Sequence, residues 1–268
     1  MRRLCHPWHR AGKPLDYNVD AVSSPTGSPP IPWHLSRNGV VAVATLLTLV
    51  ALAENTMAPW APFHILYAAL ATLLPLAWGT WSFGRLSTVR RSSWALVVFF
   101  PVVLQAGVSV WEAVLYPRLW GLLGVDSATA AGPMYSLSAA LPALFEAAGA
   151  RLGWPADRVQ WLYLTFVVLW AGLGEELFYR GYMHGTLRRR IGPLRAAVVS
   201  SAFFAIRHAT QLALVKPYPA AAALSWVAFC FIVGLVLAWL YDRCSSLWPP
   251  VLAHYLFNLI PMAALALS

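Results

Sequence analysis

Residues 218–241 read YPAAAALSWVAFCFIVGLVLAWLY, a stretch without one charged side chain. A helix rises about 1.5 Å per residue, so roughly 20 apolar residues cover the hydrocarbon of a bilayer. This run has that length, and the chain on either side repeats the pattern: long uncharged segments alternate with short basic breaks. Candidate spans fall at residues 39–58, 62–82, 94–115, 160–186, 195–214, 218–241 and 246–267. The 268-residue chain is 59% hydrophobic and only 11% charged, a balance that makes lipid the solvent for most of its surface. Fourteen Trp and ten Tyr fit the headgroup level at the two membrane faces. The expected fold is therefore all-α, a polytopic transmembrane helical bundle of about seven spans.

The basic residues set the orientation, because short cytoplasmic loops collect Lys and Arg. Arg85, Arg90 and Arg91 fall between spans two and three, and Arg188, Arg189, Arg190 and Arg195 between spans four and five. A cytoplasmic amino terminus puts both loops inside, together with the short loop at Arg243 and the basic tail. Residues 1–37 contain SSPTGSPPIP and too little apolar area to order themselves, which predicts a flexible cytosolic tail. Residues 38–154 then form amino-terminal membrane helices, and 155–268 the core that carries the chemistry. Within 116–159 the uncharged but small, Ser-rich and Pro-interrupted SATAAGPMYSLSAALPALF reads as an external interfacial or re-entrant segment, since a crossing there would force an Arg-rich loop outside.

Several function classes drop out at this stage. The net charge of +9 is spread between apolar runs instead of forming one basic face, which argues against nucleic-acid binding. Cys5, Cys230 and Cys244 show no CxxC or zinc-ligand spacing, and no period of 20 to 50 residues recurs. The basic start is not followed by an apolar run until Val40, so a cleavable signal peptide is not expected.

What remains is a set of polar groups at bilayer depth, where an ionisable side chain costs at least ~2.5 kcal/mol and marks function. In LWAGLGEELFYRGYMHG (169–185), Glu176 and Arg180 stand at i and i+4 and share a helix face, while Glu175 is rotated about 100° away. That division predicts a buried Glu176–Arg180 ion pair and leaves Glu175 as a desolvated carboxylate without its own cation, suited to act as a general base. A packing role for both acids, through Arg180 and Arg207, is the competing reading. In SSAFFAIRHATQ (200–211), His208 lies at a depth matching that of Glu175, with Phe204 one turn earlier as a packing wall. In SLWPPVLAHYLFNLIP (246–261), His254 and Asn258 project from one face of the last helix, a donor pair of the kind that an oxyanion needs. Gly234, mid-span, allows close helix approach, and Pro249 and Pro250 set up the final helix.

Together, EELFYR, FAIRH and HYLFN resemble the three ordered motifs of the CPBP intramembrane endopeptidases, also called CAAX proteases and bacteriocin-processing enzymes or the Abi family. Those motifs run Glu-Glu-x-x-x-Arg, Phe-x-x-x-His and His-x-x-x-Asn, and the SLWPP run looks like the approach to the third. The resemblance covers roughly residues 155–262, the last four spans. It implies an intramembrane glutamate-type endopeptidase: Glu175 activates water, His208 assists, and His254 with Asn258 meets the negative charge on the carbonyl oxygen, while Glu176, Arg180 and Phe204 support them. It implies no metal and no cofactor, in keeping with the absence of HExxH. Substrates of such proteins are membrane-associated peptides or proteins, some with lipidated or apolar carboxy termini, processed in CAAX-like fashion or by removal of a leader or sorting tail.

These features predict a multi-pass protein of a cell membrane, most simply a bacterial inner membrane, with lipids and a peptide substrate as its partners. Two other classes share the residues. A non-catalytic scaffold or bacteriocin-immunity protein would keep the fold and use the polar cavity for binding alone. A proton-coupled transporter would use buried Glu and His as a relay, but it predicts paired halves, and the polar groups here are expected only in the carboxy-terminal half.

Overall fold

The computed structural model describes residues 32–57, 63–80, 89–166, 170 and 172–267. Helices account for the regular structure, and there is no strand among the described residues. In chain order they are α1 (Arg37–Met57), α2 (Ile65–Ala77), α3 (Arg91–Val110), α4 (Tyr116–Leu122), α5 (Ser127–Ala130), α6 (Leu137–Leu152), α7 (Ala156–Phe166), α8 (Gly172–Glu176), α9 (Gly185–Ile191), α10 (Pro193–Ala209), α11 (Ala220–Cys244) and α12 (Trp248–Leu267). A π-turn at Trp111–Leu115 joins α3 to α4, and a longer π-helix, Leu177–His184, joins α8 to α9. A 3-10 turn, Thr210–Leu214, extends α10.

The protein is an all-α membrane bundle. A helix lies within each of the seven expected intervals, and among the described residues four stretches are long and apolar enough to cross a bilayer: Arg37–Met57, Arg91–Leu122, Pro193–Leu214 and Ala220–Cys244. One expected span is cut short for a visible reason. Helix α2 has only 13 residues, with His64 in the left-handed region ahead of it and Gly79 at φ 61° behind. The expected span at 160–186 holds the end of α7, then α8 and the π-helix, with residues 167–169 and 171 outside the described residues. Large apolar side chains point outward along the long helices, among them Leu46 and Leu49 of α1, Phe99 and Val102 of α3, and Leu224 and Ile232 of α11. Such a surface is stable only against lipid.

Helices α10 and α11 form the central pair. Their approach is set by Gly234, where an added Cβ would sit 2.8 Å from the Cβ of Ser201, so any side chain would force the helices apart. This is the role that the sequence predicts for Gly234. The turn before α10 needs Gly192, at φ 83°, and Pro193 then starts the helix with its preset φ. One face of the bundle is completed by the first helices: Glu54 of α1 accepts hydrogen bonds from the Leu66 and Tyr67 amides at 2.9 and 3.0 Å, capping the free N–H groups at the start of α2.

Two expectations change. Most of the 1–37 tail lies outside the described residues, but its last part is docked: Tyr182 donates to the His34 carbonyl at 2.7 Å, and Arg190 Nε to that of Leu35 at 3.0 Å. Polar groups are also not confined to the last four spans, since Glu54, Asn55 and His64 are buried as well. Sequence position alone hides this, because each of these residues falls near the end of an apolar run. Residues 116–159 fold into α4, α5, α6 and the start of α7, and α6 packs against α7, the 3-10 turn and α11.

Candidate functional site

Glu175 and Glu176 close the short helix α8, and the π-helix that follows widens the backbone at this point. π-Segments of this kind recur at functional sites because they re-aim side chains that an α-helix would hold in register. Arg180 Nη1 reaches back to Glu176 Oε1 at 2.8 Å, forming the i, i+4 ion pair that the spacing predicts. Its Nη2 donates to the Gly234 carbonyl at 3.1 Å, and its guanidinium lies 4.6 Å over the Phe204 ring. One arginine thus ties the π-helix to both α10 and α11. Arg180 and Glu176 are fully buried, so this pair is held by its contacts and not by solvent.

Glu176 has a second partner. His254 Nδ1, on α12, lies 2.9 Å from the same Oε1. A carboxylate only accepts, so the Nδ1–H donates and the ring orientation is fixed by Glu176. His254 Nε2 lies 3.8 Å from Glu175 Oε2, too far for a hydrogen bond. Asn258, one turn on, has no partner for its Nδ2 among the described residues.

His208 is fixed from its own helix. Its Nδ1 is 2.7 Å from the Phe204 carbonyl oxygen, which can only accept, so the proton resides on Nδ1 and the neutral ring keeps a lone pair on Nε2. The Phe204 ring packs edge-on between the two imidazoles, with centroids 4.5 Å from His208 and 6.0 Å from His254. It is the packing wall that the sequence predicts.

These side chains meet in one cavity of about 490 Å³, bordered by Glu175, Phe204, His208, His254 and Asn258 together. That volume is in the range of small-ligand sites. Glu176 and Arg180 stand behind its wall. The amino-terminal helices contribute as well: His64, Tyr67 and Ala71 from α2 and its approach, Gln105 from α3, and Leu141 and Phe145 from α6 border the same space.

One expectation is overturned. Glu175 is not without a cation, because Arg207 Nη2 is ion-paired with its Oε1. Arg207 lies on α10 immediately before His208, and its guanidinium stacks 4.5 Å over the Tyr67 ring. The sequence places Arg207 inside an apolar span, where it needs an anion, and Glu175 is the carboxylate that Arg180 leaves free. The signal was therefore present, at the same depth and in the same motif as His208. His64 gave no such signal; a lone histidine between two apolar runs has no periodicity to place it. Among the described residues there is no group of three or more His, Cys, Asp or Glu that could hold a metal ion.

The last helices thus bring a carboxylate, two histidines and an asparagine to one buried cavity. Residues 157–260 match the family model described as type II CAAX prenyl endopeptidase Rce1-like. This is the family that the three motifs resemble, and the match lies in the carboxy-terminal part of the chain. No curated protein and no solved structure matches the chain.

Proposed function

We propose that the protein is an intramembrane, metal-independent glutamate-type endopeptidase that hydrolyses a peptide bond in a membrane-associated protein or peptide. The observation that carries this reading is the shared cavity: the acid of α8, the imidazole of α10 and the two polar groups of α12 border one space. In the proposed reaction, water bound beside Glu175 gives its proton to that carboxylate while His208 Nε2 accepts its other hydrogen bond. The water oxygen attacks the scissile carbonyl. Asn258 Nδ2 meets the developing oxyanion; His254 has already committed Nδ1 to Glu176, so it helps from Nε2, which requires a second proton on that ring. The proton on Glu175 then passes to the leaving amine.

The predominantly apolar residues around the site suit a hydrophobic or lipidated segment, delivered from the bilayer and cut in CAAX-like fashion or as a leader or sorting tail. The proposed setting is a bacterial inner membrane with the amino terminus in the cytoplasm. Chelators are expected to leave activity intact; loss under chelation that zinc restores contradicts the metal-free scheme.

One observation favours a second reading. The Glu175–Arg207 pair gives the acid a structural partner, as in a scaffold or immunity protein that retains the cavity for binding. Glu175→Gln separates the two. Peptide termini mapped by mass spectrometry in membranes from cells expressing either form should show wild-type cleavage products that vanish in the variant. Identical termini, with the biological effect retained, would establish the scaffold.

A further inference from the structure

Arg207 is an incompletely satisfied guanidinium at the edge of the cavity. It is buried, its Nη2 is paired with Glu175, and Nε and Nη1 have no hydrogen-bond partner among the described residues. A guanidinium carries five N–H bonds, so three of them, one on Nε and two on Nη1, lack an acceptor. Among the same residues Arg180, equally buried, bonds Glu176 and Gly234, lacks a partner for Nε alone, and does not border the cavity. A second buried donor stands at the same cavity. His64 has no partner for either ring nitrogen among the described residues, and its backbone is held in the left-handed region at φ 48° and ψ 39°. Non-glycine residues persist in that conformation where the surroundings require it, and such positions cluster at ligand sites.

Buried donors without acceptors are costly, and the group that best satisfies a guanidinium is a carboxylate. The cavity's own further carboxylate is already engaged: Glu112 accepts from Ser225 Oγ at 2.9 Å and from the Leu137 amide at 3.0 Å. We propose that Arg207, with His64 beside it, forms a carboxylate-binding subsite, and that an acidic group on the peptide substrate draws the guanidinium away from Glu175 as it binds. This rests on the proteolytic reading and adds a substrate class to it: an apolar peptide with one carboxylate near the scissile bond. Arg207 is then a positioning and specificity residue. It keeps Glu175 paired until a substrate supplies a replacement anion and so releases it as base. The carboxylate comes either from a free chain end or from an acidic side chain.

The test uses the full-length protein in detergent micelles and three probe peptides: N-acetyl-Leu-Phe-Leu as the free acid, the same peptide as the amide, and N-acetyl-Leu-Glu-Leu amide. Binding is read from thermal unfolding shifts and tryptophan fluorescence, so it does not depend on cleavage. At least one of the two acidic peptides should bind about tenfold tighter than the neutral amide, and which one does so names the source of the carboxylate. In Glu175→Gln the acidic peptide should bind tighter still, because the competing anion is gone; in Arg207→Gln the preference should disappear. Should Arg207→Gln fail to fold, Arg207→Lys should show a reduced preference. Equal binding of all three peptides to the wild type, a preference that survives in Arg207→Gln, or one that is undiminished in Arg207→Lys, overturns the subsite. Loss of cleavage in Glu175→Gln bears on the protease reading alone, so the two can fail separately.

Discussion

Glu175 and Glu176 are neighbours in the chain with opposite surroundings. Glu176 Oε1 accepts from Arg180 and from His254, and Arg180 continues to the Gly234 carbonyl, so one carboxylate joins the π-helix, α11 and α12. Glu175 is paired with Arg207, has His254 Nε2 3.8 Å away, and borders the cavity. The rotation of about 100° between adjacent helical residues separates a structural acid from an acid that a ligand can reach. A rigid half and an adjustable half of the site are thus encoded one residue apart.

The comparison breaks if the two acids can be exchanged in role. Glu175→Gln should reduce cleavage by about a thousandfold or more, the scale of a lost general base, with a smaller loss of stability than Glu176→Gln, because Arg207 borders the cavity, where water or a ligand can take up its freed N–H groups. Glu176→Gln should do the reverse in kind: it leaves Arg180 buried without its carboxylate and should lower stability by about 3–5 kcal/mol, read by thermal or denaturant unfolding. A stable Glu176→Gln protein sinks the structural assignment. Asn258→Ala removes the unpartnered amide donor and should lower kcat by about a hundredfold with little change in unfolding, as expected for one oxyanion donor. The smallest effect sharpens the rigid half. Gly234→Ala places a methyl 2.8 Å from the Ser201 Cβ and should cost about 1–3 kcal/mol of stability by forcing α10 and α11 apart.

Much of this was legible in the residues. The charge-free run at 218–241 announced a membrane helix, and the i, i+4 spacing of Glu176 and Arg180 gave their pair before any coordinates. The order of EELFYR, FAIRH and HYLFN gave the resemblance that the family-model match over residues 157–260 repeats. What the sequence concealed depends on distance through space. His254 lies 78 positions from Glu176, and no local pattern ties that imidazole to the second acid instead of the first. The partner of Glu175 was visible only as an arginine out of place in an apolar span. The cavity walls supplied by α2, α3 and α6 were hidden altogether, because apolar residues facing a substrate space and apolar residues facing lipid look alike in a string of letters. The π-helix at Leu177–His184 was likewise invisible, since a π-helix keeps the same composition as the α-helix that it interrupts.

The central claim is that Glu175 turns a water molecule into the nucleophile. Peptides retained by the Glu175→Gln protein in its native membrane, once sequenced, supply authentic substrates for purified protein in water enriched in oxygen-18. Wild type should place one heavy oxygen in the new carboxylate at each cut, and Glu175→Gln, with its fold intact by thermal unfolding, should give no product. Cleavage by that variant at the wild-type rate contradicts the account.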